Sequence, residues 1–297
     1  MYKLYLSLVF ICFISSCSLN KMFLGPDKLD AAQKKTILTS CRTTDTLIIH
    51  YGANFQPTFT NNKGEALGQS YKIESVGFEN AVGNKLNAWM ISPDSAYNGI
   101  TILFLHGNAG NVTSQFMGML PFVKRGFKAL VVDYSGFGFS EGKATRKNVL
   151  LDGNAAIEYM AKTKDPARKK LVIYGQSLGG HLSAVVAASH QDKIDGLVIE
   201  GAFSSHKDVA ATVAGFIGRI FVAEKYSALK AIGNYNKPLL LIHSIEDETI
   251  PFKLGQKLYA KANAPKSFYQ IDKCHICGPA YYPDSIATRI KGMLGDF

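Results

Sequence analysis

The sequence has no long run of basic residues and no basic stripe interleaved with aromatics, although its 33 Lys and Arg outnumber its 23 Asp and Glu. The formal charge of +10 is scattered through stretches that read as loops and helix faces, so no nucleic-acid-binding surface is expected. It reads as a solvated surface, one that a nearby anionic membrane would attract. The apolar stretch near the start, Leu4 to Ile14, is about half the length of roughly 20 residues that a comfortable membrane span needs. Cysteine is scarce at five, and Cys274 and Cys277 with one neighbouring His offer too few ligands for a structural zinc site. What remains, 47% hydrophobic and 19% charged over 297 residues, is an ordinary globular composition with enough chain for one large α/β domain.

Lys3 ahead of the short apolar stretch has the form of a secretory signal. Ile14-Ser15-Ser16-Cys17, with two small residues between an aliphatic one and a cysteine, resembles the bacterial lipobox. That resemblance implies a signal peptide over residues 1–17 and lipidation of Cys17, and each acyl CH₂ buried in a bilayer contributes about 0.8 kcal/mol to anchoring. Ser18, not Asp, follows the Cys, which in the lipoprotein pattern leans toward the outer membrane, facing the periplasm. Plain secretion and an uncleaved signal anchor stay open. Residues 18–45 are expected to be a tether or short helix and N-terminal extension, and residues 46–297 the main domain.

The centre of that domain is Tyr174-Gly175-Gln176-Ser177-Leu178-Gly179-Gly180, between the apolar Leu171-Val172-Ile173 and the small-residue helical stretch from Ala184 to Ala188. Gly175 and Gly179 fit G-x-S-x-G, a strand-to-helix turn so tight that only glycine tolerates the close contacts around the serine. Such a turn lifts Ser177 above the sheet and aims the Leu178 N–H at an oxygen bound beside it. Before it, Thr46–Tyr51 reads as a strand, and Tyr71–Phe78 and Leu86–Ile91 read as a hairpin. Ile100–Leu105 is a buried strand ending in His106-Gly107-Asn108-Ala109-Gly110-Asn111, where a second backbone donor is expected at Asn108, with Ala109 the neighbouring choice. His106 fits the role of holding that loop better than that of a base.

Phe116–Val123 reads as a helix and Ala129–Val132 as a strand leading to Asp133, whose carboxylate is expected to cap its glycine-rich loop. A helix over Thr145–Lys162 precedes the serine strand, and Leu197–Phe203 is the strand after it. Residues 204–235, with Phe216, Ile217, Ile220 and Phe221, read as a small helical cap whose apolar face roofs the pocket. Asp247 follows the strand Pro238–His243, and beyond the helix Leu254–Ala262 and the last strand, Ser267–Ile271, stands His275. Ser, Asp and His in that chain order, each just past a strand, suit a nucleophile, an orienting carboxylate and a general base.

The segments at His106–Gly110, Asp133–Gly138 and Gly175–Gly180, with Asp247, Ile250-Pro251 and His275, together resemble the alpha/beta-hydrolase family, most of all its serine aminopeptidase and depalmitoylase-like branch. The resemblance covers about residues 71–297. It implies an α/β fold with a mostly parallel sheet of about eight strands flanked by helices, a Ser177, Asp247, His275 triad, backbone donors at Asn108 and Leu178, and no metal or cofactor. The expected activity is a serine hydrolase acting on a carboxylic ester or thioester through an acyl-enzyme, with a small-molecule or acyl substrate and a membrane reached through the lipid anchor. A serine peptidase or amidase, or a binding lipoprotein without turnover, is the alternative. The Cys-His-Ile-Cys setting of the base departs from the family pattern. Among Cys41, Cys274 and Cys277, left after Cys12 and Cys17, one disulfide is expected to stiffen the His275 loop.

Overall fold

A computed structural model describes residues 23–39 and 46–295. The strands in chain order are β1 (Gly25–Pro26), β2 (Lys35–Thr39), β3 (Thr46–Tyr51), β4 (Pro57–Thr60), β5 (Tyr71–Glu79), β6 (Lys85–Pro93), β7 (Ile100–Leu105), β8 (Ala109–Gly110), β9 (Lys128–Val132), β10 (Lys170–Gln176), β11 (Gly196–Glu200), β12 (Leu239–Ser244) and β13 (Lys266–Ile271). Eight of them form the central sheet, in the order β13-β12-β11-β10-β7-β9-β6-β5. Only β6 runs against the others, pairing antiparallel with β9 and β5.

Strands covered by helices on both faces must be apolar throughout, and every residue of β7 and β12 is buried. Successive side chains divide between the two faces. Leu103, Leu105, Ile173 and Leu197 join Val149, Ala156 and Leu182 of the helices Arg146–Lys162 and Leu178–Ser189 in one core. Ile102, Phe104, Val172 and Val198 face Phe116, Phe122, Ile286 and Ile290 in the other. Because β7 lies between β10 and β9, the chain turns to opposite sides at its carboxyl end, the place where open α/β sheets hold ligands.

Three segments differ from the sequence expectation. Phe116–Val123 is not one helix: a short helix Val112–Gln115, a 3₁₀ turn Phe116–Gly118 and a helix Leu120–Val123 replace it. Pro121 is the reason, since its ring would strike a carbonyl one turn back in a helix interior but is tolerated in a first turn. The described part of the N-terminal extension is neither tether nor helix. β1 pairs in parallel with β8, Gly25 N donates to Asn108 O at 2.8 Å, and Leu29 N and Gly138 N exchange bonds with Gly138 O and Asp27 O. β2, β3 and β4 form a separate antiparallel sheet. Third, a C-terminal helix, Pro283–Leu294, closes the second core through Ile286 and Ile290.

The expected cap is present as a helix, His206–Phe221, interrupted at Ala214 and Gly215, where Gly215 has φ 56°. Its apolar residues do not all roof the pocket. Val209 and Ala210 are buried, whereas Phe216, Ile217 and Ile220 are exposed.

Candidate active site

Ser177 sits between β10 and the helix Leu178–Ser189 at φ 53°, ψ −115°, a backbone conformation that non-glycine residues rarely adopt. The turn holds because its neighbours lack side chains. A Cβ at Gly179 would lie 1.9 Å from Leu105 O, and one at Gly175 would lie 2.3 Å from Gly179 O. Ser177 N donates to Glu200 O at 2.9 Å, so the elbow is also tied to β11. The helix beginning at Leu178 leaves its first N–H groups unpaired along the axis and directed to the serine side.

His275 follows β13, and its Nδ1 is 2.6 Å from Asp247 Oδ2. Thr249 N and Ile250 N donate to Asp247 Oδ1 at 2.9 and 2.7 Å. Burial alone would raise the Asp247 pKa, but hydrogen bonds from His243 and His275 and the His275 charge outweigh it and hold the carboxyl well below the usual range. An ionised carboxylate only accepts, so Nδ1 of His275 carries the proton and Nε2 of the neutral ring has the free lone pair. Nδ1 of His275 would be 3.1 Å from a Cβ on Gly201, so the imidazole lies over a backbone that a side chain would obstruct.

Ser177 and His275 line one cavity of about 290 Å³ with Gly107 and Asn108. Its apolar walls are Phe23, Leu178, Phe203, Val209, Ile250 and Ile276. Gly107 is close to the nucleophile, for a Cβ there would be 3.7 Å from Ser177 Cβ. His106 Nδ1 donates to Gly107 O at 2.9 Å, and burial pushes its pKa down to about 4, so this histidine is a neutral brace of the loop. Asp133 does cap its loop, through a backbone bond from Phe139, and its Oδ1 also accepts from Val112 N at 2.6 Å. The structure thus brings Ser177, Leu178, Asn108, Asp247 and His275 to one edge. It joins Cys274 to Cys277 by a disulfide that encloses the base, while Cys17 and Cys41 lie outside the described residues.

Three contributors were not foreseen. Glu200, fully buried at the end of β11, accepts from Tyr174 Oη at 2.8 Å, Gln176 Nε2 at 2.7 Å and Gly278 N at 2.7 Å, joining the strand before the serine to the loop after the histidine. His243 Nε2 donates to Ile250 O at 2.9 Å and lies 3.4 Å from Asp247 Oδ2, so it fixes the turn that presents the carboxylate. Phe23 walls the cavity from the N-terminal extension. A charged residue ending a buried strand, as Glu200 does, was the signal available in the sequence.

Among the described residues one group has metal-ligand composition: His181, His206 and Glu224, with ligand atoms within 4.8 Å of one another. All its ligand atoms except the buried His206 Nε2 have other hydrogen-bond partners. His181 faces the carbonyls of Phe203 and Tyr226, and Glu224 accepts from His206 N, His206 Nδ1 and Lys207 N. Arg146 stands close enough for its charge to disfavour the protonated form of His206, which also disfavours a metal cation there. The cluster ties the elbow helix to the cap.

A serine on a tight strand-to-helix turn beside the loop after β7, with a carboxylate-bound histidine lining the same cavity, fits a hydrolase of the α/β type. The comparisons agree. A family profile described as "alpha/beta hydrolase fold" matches residues 100–223. The uncharacterized protein YfhR of Escherichia coli K12 is 33% identical over 201 residues, 66% of this chain and 70% of its own length. Protein bem46 of Schizosaccharomyces pombe is 31% identical over 195 residues, 62% of this chain and 64% of its own. In structure, the Pyrococcus furiosus esterase Pf2001 superposes with a TM-score of 0.62 at 19% identity, over 77% of this chain and 96% of that one. This protein belongs to the alpha/beta hydrolase family.

Proposed function

We propose that the protein is a serine hydrolase that cleaves a carboxylic ester or thioester through an acyl-enzyme, with Ser177 as nucleophile, His275 as general base and Asp247 as its orienting carboxylate. The observation that carries this reading is the 2.6 Å bond between His275 Nδ1 and Asp247 Oδ2, which leaves Nε2 as the basic nitrogen in the cavity that Ser177 lines. A serine hydroxyl is a weak nucleophile at neutral pH. His275 Nε2 takes its proton as Oγ attacks the carbonyl carbon, and Asp247 stabilises the imidazolium. The N–H groups of Leu178 and Asn108 hold the oxyanion, each such donor lowering the barrier by about 2.7–4 kcal/mol. His275 then gives the proton to the leaving alkoxide or thiolate, and water, activated by the same nitrogen, releases the acid.

The cavity supports a short acyl group: at about 290 Å³ it lies at the small end of ligand sites, and its walls are apolar. The test is a chain-length series of acyl nitrophenyl esters run beside aminoacyl nitroanilides, with a fluorophosphonate probe. Turnover of short esters, with labelling and turnover abolished in Ser177→Ala, is the expected result. Preference for the nitroanilides refutes the ester reading, and no labelling of the parent refutes the nucleophile.

A further inference from the structure

The cap helix carries an apolar face that no described part of the chain covers. Val213, Phe216, Ile217 and Ile220 are 64, 75, 63 and 58% exposed. Single exposed apolar residues are ordinary, but four large ones within Val213–Ile220 form a patch that a soluble surface rarely leaves bare. Val209 and Ala210, before the break at Ala214 and Gly215, and Val222, just past the helix end, face inward and share a core with Phe23, Leu178 and Phe203. The patch adjoins the mouth of the site: Thr212 and Val213 border the cavity that holds Ser177 and His275.

Two further observations say what the patch meets. The first is where the N-terminal segment is fastened. Phe23 borders the same cavity, and its ring is 4.8 Å from that of His206 at the start of the cap helix. At no more than about 3.6 Å per residue, Cys17 lies within about 22 Å of Phe23. Any attachment of the apolar Leu4–Ile14 stretch or of Cys17 to a bilayer therefore keeps the mouth and the cap beside that surface. The second is charge. Lys207 and Lys225 stand on either side of the patch in sequence, while Arg219 and Lys257 both pair with Asp208, at 2.6 and 2.7 Å. The chain as a whole carries +10, which attracts anionic headgroups.

We propose that the Val213–Ile220 face of the cap docks on an anionic lipid bilayer, so that the mouth of the site opens against the membrane. Phe216, Ile217 and Ile220 enter the boundary between headgroups and acyl chains, as the apolar side of an interfacial helix does, with Lys225 at the phosphates. Docking is independent of the catalytic reading. Its consequence, that the esters hydrolysed are presented by the membrane, rests on that reading.

The test uses the full chain bound to vesicles of phosphatidylglycerol and brominated phosphatidylcholine. Trp89 is the one tryptophan and is fully buried, so a tryptophan placed on the surface is the reporter. Emission from Phe216→Trp is expected to shift to the blue and to be quenched about twofold by the brominated chains. Lys164→Trp, exposed ahead of β10 at the sheet edge remote from Ser177, is expected not to change. Unquenched Phe216→Trp on vesicles that carry the chain down on centrifugation overturns the proposal. So does a lipid-free dimer that F216E/I220E dissociates, because the patch then belongs to a second copy. In a second assay, F216E/I220E is expected to match the parent on a soluble short ester and to lose about tenfold on an ester held in vesicles. Equal activity of the variant and parent on both substrates overturns the docking. A parent inactive on both refutes the hydrolase reading and leaves the quenching to decide the docking.

Discussion

Removing the Cys274–Cys277 disulfide should slow catalysis while leaving the fold intact. The bridge closes a ring of sequence separation 3, and the chain-entropy relation for so short a loop gives a stabilisation of only about 2 kcal/mol. A domain with two extensive cores survives that. The effect is felt at the site because Ile276, inside the ring and next to His275, is held at φ 51°. A β-branched residue in the left-handed region is disfavoured by about 1–2 kcal/mol. Without the bridge, Ile276 relaxes toward negative φ and carries His275 with it, against the bonds that remain: His275 to Asp247, Gly278 N to Glu200 and Gln176 Nε2 to Ile276 O at 3.3 Å. If the productive loop loses those 1–2 kcal/mol, its population falls about 5–30-fold.

The perturbation is Cys274→Ser with Cys277→Ser, assayed by kcat on a soluble ester and by urea unfolding. kcat should fall about 5–30-fold while unfolding free energy falls by no more than about 2 kcal/mol. The decisive arm repeats the comparison in an Ile276→Gly background, where positive φ carries no steric penalty. There, removing the bridge should change kcat by no more than about twofold, and because both members of that pair lack the Ile276 side chain, its loss from the cavity wall cancels. An unchanged kcat in the Ile276 background, or an equal loss in both, refutes the reasoning.

Glu200→Gln should lower kcat with little change in KM. One carboxylate oxygen pair now accepts from Tyr174, Gln176 and Gly278, and an amide presents its own donor to at least one of them, at about 1–3 kcal/mol. A kcat within about twofold of the parent would refute the positioning role. Asp133→Asn should gain stability relative to the parent as pH rises. Burial pushes the Asp133 pKa up to about 7, against a usual value near 3.9 in the unfolded chain, so its contribution is intact below about pH 4 and is lost as pH rises toward 7, by about 1.4 kcal/mol per unit. Urea midpoints of the two proteins at several pH values between these limits should converge or cross, and parallel curves would refute the shift.

The elbow was legible because glycine is required where backbone meets backbone: the contact of Gly179 with Leu105 O leaves no other residue at that position. Strands β7, β10, β11 and β12 were legible because burial on both faces demands uninterrupted apolar runs. The meeting of His275 with Asp247 was legible from their places after the last two strands. Glu200 was not, since one carboxylate at a strand end reads as a solvated charge until Gly278 N, 78 residues away, is seen to donate to it. The docking of Gly25 and Pro26 onto the loop after β7 was equally hidden. Two residues have no periodicity, and their partner at Asn108 is remote in sequence.

The cap shows a different limit. Residues 216, 217 and 220 recur at the spacing of one helical face, with Val213 just ahead of the break at Ala214 and Gly215, and that spacing marks a stripe seeking an apolar partner. Periodicity says that such a stripe exists and not what covers it. Turning it inward follows if the only apolar phase in reach is the protein's own core, but Val209, Ala210 and Val222 already fill the cap's inner side. With that place taken, the stripe is left to an external apolar phase. Were the N-terminal apolar stretch or Cys17 attached to a bilayer, the short link to Phe23 at the mouth of the site would bring that bilayer closest. In the docking proposed above, the cap's sequence answers to two surfaces at once, the cavity through Val209 and the membrane through Phe216.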